Sequence, residues 1–312
     1  MHHPFDADDL DKSREHWFEG GVLNRGPMNR VQTVLLSVLL LLGSLMSAPA
    51  DLKLDQASKT LGAEGREDAG WVVSAGGFED ESMNAVALGE DGSLYIVGNF
   101  RTAMTYGEEG FQATGMQGDE DFFVGRMSSS GAWLWMVSGG STGSDVLNDI
   151  SVDPRDGSAY VTGAYCLGTA GESCSMTLGS LSEVGKASDD DEGEGFIARI
   201  SSTGTWEWVK KFGTNMDDHG TSVVNDGQGN IYHSGLYTGM LNIASETLPG
   251  SESYSLFVAK MDDTGSWDWA SGILSPEGIK AFGDMCIDST GGQSSLVPSS
   301  IVQSSRRKPQ HL

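Results

Sequence analysis

Positive charge is what this chain has least of: 19 Lys and Arg stand against 44 Asp and Glu, for a formal net charge of −25 at pH 7. Phosphate backbones and anionic lipid are bound through clustered basic side chains, so this balance argues against nucleic acid as a partner. The acidity reads first as surface charge that keeps a β-rich chain from self-associating, with divalent cation binding as the competing use of the carboxylates. Cysteine is also scarce, at three residues. Cys166 and Cys174 lie close together in one inserted loop, where an exported chain would let them oxidise to a local disulfide. Their spacing is no zinc pattern, and no second pair completes four ligands. Cys286 sits in the strand-like run Met285-Cys286-Ile287, where a small buried apolar residue is expected.

Long apolar runs are limited to one, from Val31 to Leu45. Arg30 precedes it and Ser47-Ala48-Pro49-Ala50 follows, the order of a secretory signal peptide cleaved after Ala48 or Ala50. The competing reading is an uncleaved signal anchor, for which the run is short against the about 20 residues of a membrane span. Residues 1–27 carry Asp6, Asp8, Asp9, Asp11, Glu15 and Glu19, the wrong sign for the start of a signal. Met28 is the expected initiator, which makes residues 1–27 an over-extended segment, 28–50 the signal and 51–69 a linker. Either way the rest of the chain is expected outside the cell, secreted or at its surface.

What the chain does have is a repeated sentence. Gly131-Ala132-Trp133-Leu134-Trp135, Gly204-Thr205-Trp206-Glu207-Trp208 and Gly265-Ser266-Trp267-Asp268-Trp269 are one motif. Each follows a similar strand: Phe123-Val124-Gly125-Arg126-Met127, Phe196-Ile197-Ala198-Arg199-Ile200 and Phe257-Val258-Ala259-Lys260-Met261. Upstream come an alternating run (Asn84–Leu88, Asn148–Val152, Thr221–Val224), a Gly-containing turn, and a second strand such as Leu94-Tyr95-Ile96-Val97-Gly98. Variable loops at 101–120, 164–194 and 238–255 separate second from third strands. Period two assigns both Trp residues of each Trp-x-Trp to one face of the sheet, as core. A four-stranded antiparallel sheet cannot bury its apolar face alone, so copies must stack. An all-β partial propeller follows, of about three four-stranded blades. A leading outer strand, Trp71–Gly77, matches Trp135–Gly140 and is expected to complete a last blade. An incomplete further blade runs from Phe282 to Gly292, and the Ser-rich tail 293–312 resembles no blade. The expected reading is a truncated or frame-shifted longer propeller, with an open array pairing edge to edge as the alternative.

The pattern resembles the SBBP repeats of exported bacterial and archaeal β-propeller proteins, which read roughly Asp-Gly-x-x-Tyr-x-x-Gly, a Phe-Val-x-Lys strand, then Gly-x-x-x-Trp. The resemblance covers residues 70–292. It implies an extracellular or surface-associated propeller and carries no catalytic residues across. The hairpins at 201–206 and 262–267 also resemble the Asp-box turn of sialidases, without keeping its Asp. Sialidase chemistry would need an arginine cluster, and the repeats hold only Arg101, Arg126, Arg155 and Arg199, with Arg66 before them. No P-loop, dinucleotide fingerprint, Gly-x-Ser-x-Gly elbow or cysteine–histidine nucleophile occurs. His219 and His233 fall in separate strands or turns with no third ligand evident. The loop carboxylates Asp189, Asp190, Asp191, Glu192 and Glu194 are candidate calcium ligands, against a solvated acidic loop. The expectation is therefore a non-enzymatic binding or scaffolding module without an obligatory cofactor, its partner an extracellular protein or carbohydrate. The alternatives are a propeller enzyme on polysaccharide and a calcium-dependent surface-layer element.

Overall fold

A computed structural model describes residues 71–107, 109–112, 119–169, 174–185, 193–274 and 284–287. Among these the chain is all strand. After a short β1 (Ala75–Gly77), a first sheet takes β2 (Glu81–Leu88), β3 (Leu94–Arg101), β6 (Glu120–Met127) and β7 (Trp133–Gly139). The second takes β8 (Ser144–Val152), β9 (Ala159–Leu167), β12 (Glu194–Ile200) and β13 (Trp206–Phe212). The third takes β14 (His219–Asn225), β15 (Asn230–Tyr237), β18 (Ser255–Asp262) and β19 (Trp267–Ile273). Each is a four-stranded antiparallel meander in chain order, the strand plan of a propeller blade. The turns between third and fourth strands are the same turn three times. Ser128, Ser201 and Asp262 each accept from the glycine three residues on and donate to the carbonyl four residues on. That glycine has φ between 80° and 85°, which only a residue without Cβ adopts freely.

The stretches read as variable loops contain a further repeated element. β4 (Ala103–Tyr106) with β5 (Glu109–Gln112), β10 (Ser175–Leu178) with β11 (Leu181–Val184), and β16 (Leu241–Ile243) with β17 (Glu246–Leu248) are three hairpins at equivalent places. Met104-Thr105-Tyr106, Met176-Thr177-Leu178 and Leu241-Asn242-Ile243 alternate alike, and Met104, Met176 and Leu241 are all buried. The turn residue takes φ of 57° at Gly107, 59° at Gly179 and 56° at Ala244. The Ala conceals the repeat from a search for turn glycines. The leading strand is placed by these hairpins too. β1 pairs with β4, Gly76 opposite Thr105. The equivalent Gly140 bridges Thr177 in the second sheet.

The two Trp residues of each pair do not share a face. Arg126 lies opposite Trp135 but Met127 opposite Trp133, skipping Leu134, and the same bulge recurs at Arg199/Ile200 and Lys260/Met261. One extra residue on the fourth strand reverses its alternation. The first Trp therefore looks back and the second forward. Trp206 meets Phe122 of the first sheet edge-on at 6.4 Å, whereas Trp208 packs on Tyr160 toward the third sheet. Adjacent sheets thus share cores: Phe122 stacks on Phe196 at 5.5 Å, and Phe212 meets Phe257 at 5.0 Å.

First strands lie next to one another. Asn84 donates to the Leu147 carbonyl at 2.6 Å and Asn148 to the Gly220 carbonyl at 2.7 Å. Asp149 accepts from the Val223 N–H and the Ser222 hydroxyl, both at 2.8 Å. Met285 N–H then meets Ser222 Oγ at 3.1 Å, so 284–287 enters where the first strand of a further sheet belongs. No strand is formed there, and Cys286, expected to be buried, is exposed while Met285 is buried. The contact of Met285 N–H with Ser222 turns the Met285 side chain inward and Cys286 outward. The apolar run 31–45, the segment 1–69 and the tail 293–312 lie outside the described residues.

Candidate functional site

Two of the three inserts converge on one carboxylate. Asp217, just before β14, accepts from the Gly193 N–H at 3.1 Å, which ends the insert 164–194. Its other oxygen takes the Tyr254 hydroxyl, from the insert 238–255, and lies 3.0 Å from His219 Nε2. The Asp217 carbonyl accepts from Thr238 at 3.3 Å, and the His219 and Tyr254 rings meet edge-on at 6.3 Å. Burial works to raise the Asp217 carboxyl, but the His219 and Tyr254 hydrogen bonds outweigh it and hold the group below the ordinary carboxylate range. The result is an ionised Asp in a rim cluster with a histidine and a phenol, both partly exposed. Such a set offers directional hydrogen bonds of both senses to a ligand. Next to it Asp218 is fully buried and accepts the Thr214 N–H at 2.5 Å. Asp145 does the same for Ser141 at 2.6 Å, one sheet earlier. These carboxylates cap the crossing from one sheet to the next, and burial pushes Asp145 well above its ordinary value.

The residues singled out from the sequence fare differently. Cys166 and Cys174 are joined in a disulfide, Cα atoms 5.9 Å apart, though Cys166 belongs to β9 rather than a loop. Glu194 is not a loop residue: it opens β12 opposite Tyr165 and is buried, because its strand begins two residues earlier than the Phe196 signal suggested. Asp189, Asp190, Asp191 and Glu192 lie outside the described residues. Among those described, no group of three or more His, Cys, Asp or Glu is placed to hold a metal ion. His233 is wholly buried between Phe212, Phe257 and Trp267. Thr162 donates to the Phe196 carbonyl at 2.7 Å, so its oxygen accepts from His233 Nε2 at 2.8 Å. Burial lowers this imidazole to about 3 and keeps it neutral.

The repeat-equivalent arginines hold sheets together. Arg126 reaches Asp91 Oδ2 at 2.7 Å and Ser93 within its sheet, and the Ser202 carbonyl of the next at 2.6 Å. Arg199 repeats the pattern on Asp156, Ser158 and the Asp263 carbonyl. Each guanidinium lies over a tyrosine, Tyr95 or Tyr160. Arg155 bridges Asp153 and Asp263, and Arg101 pairs with Glu120. A groove of about 370 Å³ runs along the same joint, lined by Met136, Val137, Gly179, Ser180, Thr205 and Trp206.

No family model matches the chain. Over 203 residues it is 23% identical to an uncharacterized WD repeat-containing protein of Acanthamoeba polyphaga mimivirus, an alignment that covers 60% of this chain and 14% of that protein's length. WD repeats are four-stranded propeller units, so this likeness and the three four-stranded sheets point alike to a repeat of β-propeller type.

Proposed function

We propose that the chain is an exported repeat protein of SBBP type that acts as a binding or scaffolding module at or outside the cell surface, its partner an extracellular protein or carbohydrate. The observation that carries this reading is a division of labour. The side chains that recur from repeat to repeat, Trp135 and Trp208, Arg126 and Arg199, are engaged between sheets. What differs between repeats is the part of each insert outside its hairpin, and two of these parts meet at Asp217 with Tyr254 and His219. The apolar run 31–45, with Ser47-Ala48-Pro49-Ala50 after it, supports export.

The test is photo-crosslinking on intact producing cells, with a probe amino acid at Val184, Met240 or Glu252 in the inserts and at Glu207 on the bulge as control. Crosslinks to a surface protein or glycan from the insert positions alone, and a mature amino terminus after Ala48 or Ala50, are expected. Equal yields at Glu207, or retention of the chain in the cytosol, would sink the reading.

A further inference from the structure

Three tryptophans make the same contact with the next sheet. Trp71, Trp135 and Trp208 donate their indole N–H to the carbonyls of Ser129, Ser202 and Asp263, at 2.9, 2.9 and 3.1 Å. Two residues on in each turn, Gly131, Gly204 and Gly265 lie against the ring, where an added Cβ would stand 2.3, 2.9 and 3.2 Å from it. Trp269 is the fourth of the series. It leans on Tyr232 at 6.5 Å as Trp135 leans on Tyr95 at 5.9 Å. Yet it is 38% exposed, beside Ile273 and Leu274 at 42% and 50%, and among the described residues no turn of a further sheet stands against it.

We propose that this face docks a second copy of the chain, Trp269 taking the Ser129 carbonyl and the seat over Gly131 that Trp71 occupies within one molecule. The surface continues an interface already made between the first and second and between the second and third sheets. The chain's own 284–287 enter this joint at Ser222 of β14, so the second copy meets the opposite edge of the sheet, where β19 carries Trp269. What it needs is a turn with a carbonyl and a left-handed glycine, and the first sheet is the one whose turn is held by a tryptophan from outside the three sheets. That hold is slight: β1 pairs with β4 over three residues. Trp269 comes instead from a seven-residue strand fixed in a four-stranded sheet, so less freedom is lost when it docks. Behind that turn Phe123, Met136 and Trp133 are already packed within the molecule with Met104 and Tyr106, so the second copy meets the turn and its glycine on a preformed base. Because both copies carry net negative charge, added salt strengthens the association.

Sedimentation velocity on the full chain over a concentration series tests this. Trp71→Ala frees the acceptor and should associate at roughly tenfold lower concentration than the wild type, the scale of a buried aromatic anchor. Trp269→Ala should stay monomeric. The double variant should be monomeric alone and bind Trp71→Ala. Trp71→Phe and Trp269→Phe, which keep the ring and lose the N–H, serve if an alanine variant fails a circular dichroism check, with the same order expected. Equal association by Trp269 variants would overturn the proposal. So would a monomeric Trp71 variant, or a Trp269 shielded from N-bromosuccinimide in a monomer, which would mean that the chain itself covers that face.

Discussion

At the scale of single residues, the carboxylates divide by what they face. Asp217 gathers donors from two inserts, so Asp217→Ala should cost about 1–3 kcal/mol and speed hydrogen exchange at Gly193 and Tyr254; unchanged exchange there would mean the inserts hold each other without it. Asp149 is the opposite case. Ser222 Oγ has one proton, accepts from Met285 N–H, and lies 2.8 Å from both Asp149 Oδ2 and Asp284 Oδ1. The single Ser222 proton can serve only one of the two carboxyls at a time. Burial first, with Asp284 adding to it, raises Asp149 to about 6. The folded state then binds a proton at Asp149 more tightly than the unfolded chain. Its contribution to stability is greatest below about pH 4 and is lost as pH rises to about 6, by up to about 3 kcal/mol. Denaturant titrations from pH 4 to 7 should show that decline in the wild type relative to Asp149→Asn; parallel curves would refute it.

At the scale of elements, the insert hairpins are the part that sequence reading missed. The alternation of Met104-Thr105-Tyr106, Met176-Thr177-Leu178 and Leu241-Asn242-Ile243 is visible, but three-residue runs separated by unequal linkers fall below what periodicity alone detects. Ala244 marks the hidden turn. It holds φ of 56° where its equivalents are glycines, so Ala244→Gly should raise stability by about 0.5–1 kcal/mol, relief of strain exceeding the entropy glycine adds to the unfolded chain. A lower melting temperature for that variant would show that the turn is not strained. The Trp-x-Trp pairs failed for another reason. Two apart on a regular strand means one face, and the bulge that separates Trp206 from Trp208 is a property of pairing with Arg199 and Ile200, absent from the strand's own sequence.

At the scale of the molecule, stability depends on neighbour packing, because each sheet completes the core of the next. Trp208 and Arg199 grip the third sheet at the Asp263 carbonyl. Trp208→Ala should therefore split a single thermal transition into two, the third sheet melting first; one transition merely shifted downward would mean the sheets couple chiefly through Phe212 and Phe257. Strand order, the recurring turns and the number of full four-stranded units were legible from the sequence alone, since period two, turn glycines and the Phe-x-x-Arg/Lys strand are local signals. The direction of each Trp, the pairing of β1 with β4, the meeting of two inserts at Asp217 and that of Asp149 with Asp284 at Ser222 were decided only by the tertiary structure. Each depends on a partner far away in the chain, and hydrogen-bond register between such partners leaves no periodic trace in either strand.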